Sequence, residues 1–111
     1  MPQSNPLARI VLTTAADTEE ADRLAHALVS ERLAACVTLI PSARSVYRWK
    51  DEIETTSETL LLIKTAEAQV TALEIRLKAL HSYETPEFLV LKVESGSPDY
   101  LAWLEANLMH P

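Results

Sequence analysis

A single glycine, Gly96, leaves no room for the glycine-rich loops that cradle phosphates, and it excludes collagen-like and Gly/Ser-linker compositions. The only cysteine, Cys36, cannot close an intramolecular disulfide, which points to a reducing compartment, the cytoplasm. Positive charge is also short. Ten Lys and Arg face sixteen Asp and Glu, a net charge of −6, whereas nucleic acid demands a clustered basic surface. A basic partner or a cation suits this chain better than a phosphate backbone. The apolar run Leu60-Leu61-Leu62-Ile63 stops at four residues, far from the about 20 of a membrane span. The opening MPQSNPLAR lacks the charged-then-apolar order of a signal peptide. There is no Gly-x-Ser-x-Gly elbow and no His-Glu-x-x-His, so nothing here supports an enzyme.

What remains is 48% apolar and 23% charged over 111 residues, the profile of one folded domain. Residues 1–6 read as a disordered head and 7–111 as a single domain. Ile10-Val11-Leu12 marks a buried strand over residues 7–14. Asp17 and Glu20 have capping-box spacing, and Ala21, Leu24, Ala25, Leu28 and Val29 then recur with helical period, predicting an amphipathic helix over 18–32. Residues 34–40 form a second strand. Pro41 removes a ladder donor, so this strand must be bulged or at an edge there before resuming over 42–49. Its partner is 53–65, with a polar tip at Lys50, Asp51 and Glu52, making a long protruding hairpin. Val70, Leu73, Leu77 and Leu80 predict a second helix over 66–80. A loop, 81–85, leads through Pro86 to a strand over 88–93. Gly96 permits a turn, Ser97 a cap and Pro98 a first helical position, opening a short final helix.

The order is β-α-β-β-α-β plus a C-terminal helix. This is the α+β split pattern whose right-handed crossovers place both main helices on one face of a four-stranded antiparallel sheet. The other face is then bare. Its strands are nevertheless apolar on both sides, unlike a sheet with one wet face, and the short last helix is too little to cover them. Another subunit is expected there. An RNA-recognition domain shares this order, but it needs aromatics on the central strands, which here are aliphatic.

Several segments together resemble one family. They are Val11-Leu12-Thr13-Thr14-Ala15, Glu31-Arg32-Leu33-Ala34-Ala35-Cys36-Val37, Ser45-Val46-Tyr47-Arg48-Trp49 and Leu62-Ile63-Lys64-Thr65, then His81, Tyr83, Glu84, Pro86 and Glu87, and finally Tyr100, Leu101, Trp103 and Leu104. In this order, along nearly the whole chain, they are similar to the CutA divalent-cation tolerance family. The resemblance implies a ferredoxin-like fold, a tight homotrimer with hairpin arms extending sheets between subunits, and a role in tolerance of copper and other divalent metals. Kinship of that fold with PII signalling trimers implies a small-ligand role as an alternative, and animal relatives imply a scaffold for a partner protein. In one bacterial branch the proposed copper ligands are a first-strand cysteine and two consecutive histidines. Those positions read Thr13, Leu80 and His81 here.

The candidate metal ligands are therefore His81, Glu84 and Cys36, for Cu(II) or another divalent cation. Copper prefers imidazole and thiolate, while carboxylates suit harder ions. The plainer readings are a small core cysteine and a hydrogen-bonded structural loop with solvated carboxylates. Tyr47, Arg48 and Trp49 on a projecting arm need a surface to bury them, which makes them subunit-contact candidates. Lys64, Tyr83, Glu84 and Glu87 are candidates to line an inter-subunit cleft for a small ligand.

Overall fold

Alternating strand-forming and amphipathic segments are realised in the order expected, with two short strands added at the margins. In the computed structural model, which describes residues 1–110, the elements are β1 (Gln3–Ser4), β2 (Ala8–Ala15), α1 (Thr18–Ser30), β3 (Cys36–Trp49) and β4 (Glu52–Ala66). A single 3-10 turn (Glu67–Gln69) then leads into α2 (Val70–Leu80), β5 (Leu89–Lys92), β6 (Ser95–Gly96) and α3 (Pro98–Ala106). Pro111, the end of the expected domain, lies outside the described residues. The longer strands make one antiparallel sheet ordered β3-β4-β2-β5, the ferredoxin-like arrangement. Part of the expected loose head is tied down: Gln3 and Ser4 pair with Gly96 and Ser95, and the Asn5 amide donates to the Glu94 carbonyl at 2.9 Å.

One sheet face carries Val11, Ala15, Leu61 and Ile63, packed against Leu24 and Leu28 of α1 and Leu73 and Leu77 of α2. The helical spacing of these leucines is what turns them to the sheet. Leu80, expected in the same stripe, is on the surface because α2 ends there. At the start of α1, Asp17 accepts from the Glu20 amide at 2.8 Å. Glu20 does not close the reciprocal box. Its carboxylate instead accepts from the Ala16 amide at 3.1 Å and from the Ser82 amide, beyond the end of α2, at 2.8 Å. This side chain, in a residue only 4% exposed, ties the two helices together.

The opposite face carries Ile10, Leu12, Leu60, Leu62, Ile40, Leu89 and Leu91, which the cross-strand pairs place side by side. Helix α3 covers only one end, where Leu101, Leu104 and Leu108 meet Ala8, Ala35 and Ala66. Within one chain the rest is uncovered: Ile40 is 44%, Leu89 54% and Leu91 46% exposed.

Pro41 marks a true irregularity. Ile40 faces Leu60, but the next pair is Ala43 with Glu58, so β3 spends one residue more than β4. Ser42 takes a positive φ of 62° in this bulge. At the tip, Lys50 and Asp51 both have positive φ, as a two-residue hairpin turn with the strands' twist requires.

Burial alone would raise the Glu20 carboxyl, but its hydrogen bonds from Ser82 and Ala16 outweigh that and hold it below the ordinary 4.5. Its stabilising contribution is therefore complete above the unfolded value and is lost as pH falls through the lower folded one. Glu20→Ala should cost about 3 kcal/mol at neutral pH, since charge-assisted hydrogen bonds contribute about 1.5–3 kcal/mol each. Urea unfolding measured along a pH series should show the gap to wild type narrowing below pH 4.5. A gap independent of pH would contradict the assignment.

Candidate functional site: the cleft under the hairpin arm

Past the bulge, alternate residues of β3 and β4 share one face: Ala43 with Glu58, Ser45 with Thr56, Tyr47 with Glu54 and Trp49 with Glu52. The loop between α2 and β5 closes over the same end of the sheet. Between arm and loop lies a cleft of about 600 Å³, with Tyr47, Trp49 and Tyr83 as aromatic walls, Glu58, Glu84 and Glu87 as its carboxylates, and Thr14 and Ser45 also lining it.

His81 holds this loop. Its side chain is 0% exposed, and one ring nitrogen, Nε2, lies 2.7 Å from the Thr14 carbonyl while the other, Nδ1, lies 3.0 Å from the Tyr83 amide nitrogen. A carbonyl only accepts and an amide only donates, so Nε2 carries the proton and Nδ1 is the acceptor. The Glu20 carboxylate, 3.9 Å from Nδ1, is beyond hydrogen-bond reach. Two residues on, the Tyr83 hydroxyl donates to Glu58 Oε2 at 2.7 Å.

Glu58 is only 7% exposed. Burial pushes its carboxyl up, but hydroxyls of Ser45, Tyr83 and Thr14 outweigh burial and keep it below the usual carboxylate range. Burial, then the hydrogen bond and negative charge of Glu58, push the Tyr83 phenol well up. At neutral pH the pair is a phenol donating to a carboxylate.

The structure thus brings Tyr47, Trp49, Tyr83, Glu84 and Glu87 into one cleft and leaves other candidates apart. Arg48 pairs with Ile53 on the reverse face of the arm. Lys64 lies opposite Cys36, its Nζ donating to Thr38 Oγ1 at 2.5 Å and standing 3.8 Å from Cys36 Sγ. Lys64 pairs with Ile10, and Ile10 is about 13 Å along β2 from the Thr14 that holds His81, at about 3.3 Å per residue. The expected set of His81, Glu84 and Cys36 is therefore not assembled within one chain: Cys36 is too far away, and both His81 nitrogens are engaged. Among the described residues, no three His, Cys, Asp or Glu side chains are grouped to hold an ion. Thr13 is fully buried on the helix-facing side and Leu80 is on the surface, so neither joins His81 in a site. Glu58 is the residue that sequence reasoning missed. Its signal, an acid two residues before the Leu60 run, has meaning only once the register is known.

The family model for the CutA1 divalent ion tolerance protein matches residues 9–107. The divalent-cation tolerance protein CutA of Pectobacterium atrosepticum is 50% identical over 99 residues, covering 89% of this chain and 90% of that protein. Among solved structures, CutA of Xylella fastidiosa superposes with a TM-score of 0.91 at 44% identity, over 93% of this chain and 99% of that one. CutA of Synechococcus elongatus gives 0.94 at 37% identity, over 98% and 96%. Sequence similarity and sheet order thus agree over nearly the full length, and the chain belongs to the CutA1 divalent ion tolerance family.

Proposed function

We propose that this chain acts as a homotrimeric divalent-cation tolerance protein of the cytoplasm, a binding protein and not an enzyme. The bare sheet face is its subunit interface, and the cleft under the arm is its ligand-binding element. The observation that carries the assembly is the aliphatic sheet face that α3 leaves open, with Ile40, Leu89 and Leu91 about half exposed in the single chain. Apolar patches of that kind on a soluble chain mark interfaces, most often between identical copies. Lys64 beside Cys36 lies on this face and belongs to the contact, Tyr47 and Trp49 wall the cleft at its edge, and Arg48, on the reverse face of the arm, lies outside it. The free Cys36 suits a reducing compartment.

The cation role rests on kinship with proteins named for divalent-cation tolerance. An ion on His81 has to displace either the Thr14 carbonyl or the Tyr83 amide, so this imidazole does not fit as a ligand in the folded chain. Glu84 and Glu87 are exposed hard donors, which do not select copper. A copper-selective site has no soft ligand set in one chain. The cleft favours a second reading, a small-ligand sensor built on the same trimer.

Light scattering at micromolar concentration should give three times the 12.3 kDa of one chain. Leu89→Glu, which places a charge on the bare face, should yield folded monomers by scattering and circular dichroism. A monodisperse wild-type monomer would refute the assembly. His81→Ala should destabilise the fold by about 2 kcal/mol, because it leaves the half-buried Thr14 carbonyl and Tyr83 amide without their partner. Calorimetry should find the Cu(II) and Zn(II) affinities of that variant unchanged. A loss of about tenfold or more, equivalent to about 1.4 kcal/mol, would restore His81 as a ligand.

A further inference from the structure

Glu58 combines burial, a retained negative charge and the absence of a countercharge. Its partners are hydroxyls, and among the described residues no Lys, Arg or His forms an ion pair with it. It faces a cleft whose other carboxylates are Glu84 and Glu87 and which has no Lys or Arg in its lining. Arg48, the nearest arginine in sequence to the arm's aromatics, lies on the reverse face. A nucleotide or other anion would meet three carboxylates here, against the single ammonium of Lys50 over Trp49 at the rim.

The walls narrow the choice further. A divalent metal ion needs converging oxygen ligands and holds its hydration shell against indole and phenol faces, and the carboxylates here do not converge on one point. An ammonium group gains from both, since aromatic faces attract cations electrostatically and quaternary ammonium ions prefer such cages. The chain itself makes one such contact at the rim, with Lys50 Nζ 6.0 Å from the centroid of the Trp49 ring. The cleft's volume of about 600 Å³ is that of a small-molecule site and much larger than an ion needs.

We infer that the cleft formed by Tyr47, Trp49, Tyr83, Glu58, Glu84 and Glu87 binds an organic cation, a substituted or quaternary ammonium group on a small apolar body. The inference deepens the proposed binding role of this cleft and rests on it. Glu84 and Glu87 supply the long-range attraction, the rings supply the contact surface, and Glu58, kept charged by its hydroxyl partners, neutralises the cation at depth.

The test uses the full chain carrying Trp103→Phe, so that Trp49 is the only indole reporter. Choline and benzyltrimethylammonium are titrated by fluorescence and calorimetry beside 3,3-dimethylbutanol, the neutral isostere of choline, and metal-free ATP. Both ammonium probes should bind saturably, with the alcohol weaker by about tenfold or more, the scale of a charge and cation–π contribution. The double variant Glu84→Gln, Glu87→Gln should weaken ammonium binding by about fivefold or more while leaving the melting temperature unchanged, as exposed side chains allow. Equal binding of alcohol and choline, binding of ATP alone, or no saturation by either ammonium ion would overturn the inference. Light scattering on the same samples separates this outcome from the assembly. A trimer that ignores ammonium ions defeats the inference only, and a monomer that binds them defeats the trimer only.

Discussion

Between Ile40 and Ala43 the backbone of β3 takes three steps where β4 takes two, and this extra residue decides which side chains meet at the far end of the sheet. Side chains alternate strictly along a strand, so a change of one residue exchanges the two faces for everything that follows. With the bulge, Ser45, Tyr47 and Trp49 share the face of Glu58. Without it, Arg44, Val46 and Arg48 would take their place, and the cleft would lose two aromatic walls while gaining two guanidinium groups. Pro41, which has no amide to give to a ladder, and Ser42, in the left-handed region, are the local reasons the ladder yields there. The cleft's acidic and aromatic character thus follows from a backbone event several residues away.

The other wall depends on a pair of buried polar side chains working from the helix side. Glu20 reaches from the first turn of α1 to the Ser82 amide, and His81 reaches from the end of α2 to the Thr14 carbonyl of β2. Together they anchor the loop at both a helix and a strand, so Tyr83 is presented to Glu58 by a fixed support. Buried polar groups satisfied in this way contribute geometry more than net stability, because each hydrogen bond largely replaces one with water. The histidine that family resemblance singles out for metal chemistry serves here as a brace.

Legibility followed the range of the interaction. Helices and strands with strong periodicity were readable, as were the Ser97 cap, the Pro41 irregularity and the two-sided apolar strands that leave one sheet face bare. Capping by Asp17 was readable too, since it joins neighbours in sequence. What Glu20 does with its own carboxylate was not, because Ser82 is brought to it by tertiary folding alone. His81 carried two readings from sequence, ligand or structural loop, and only the positions of Thr14 and Tyr83 decide between them. Glu58, two residues before the Leu60 run, gave a signal that only the register makes legible. An acid on a strand reads as solvated until the register and a distant tyrosine are known. Cys36 and His81 are not grouped within one chain for a related reason: the strand rise separates their positions along the sheet.

The uncovered sheet face changes along its length, and the order of that change links assembly to binding. At one end α3 seals it with leucines against small alanines. Its middle is aliphatic and suited to a second copy, and its far end turns acidic and aromatic at the cleft. Burying the middle between copies necessarily brings a neighbouring surface close to the cleft's mouth, since both lie on one continuous face. Water excluded by that contact lowers the local dielectric, which strengthens attraction between the carboxylates and a cation and raises the cost of leaving them unpaired. In the proposed trimer the same packing that stabilises the assembly therefore sharpens the cleft's preference for positive charge, without any residue having to move.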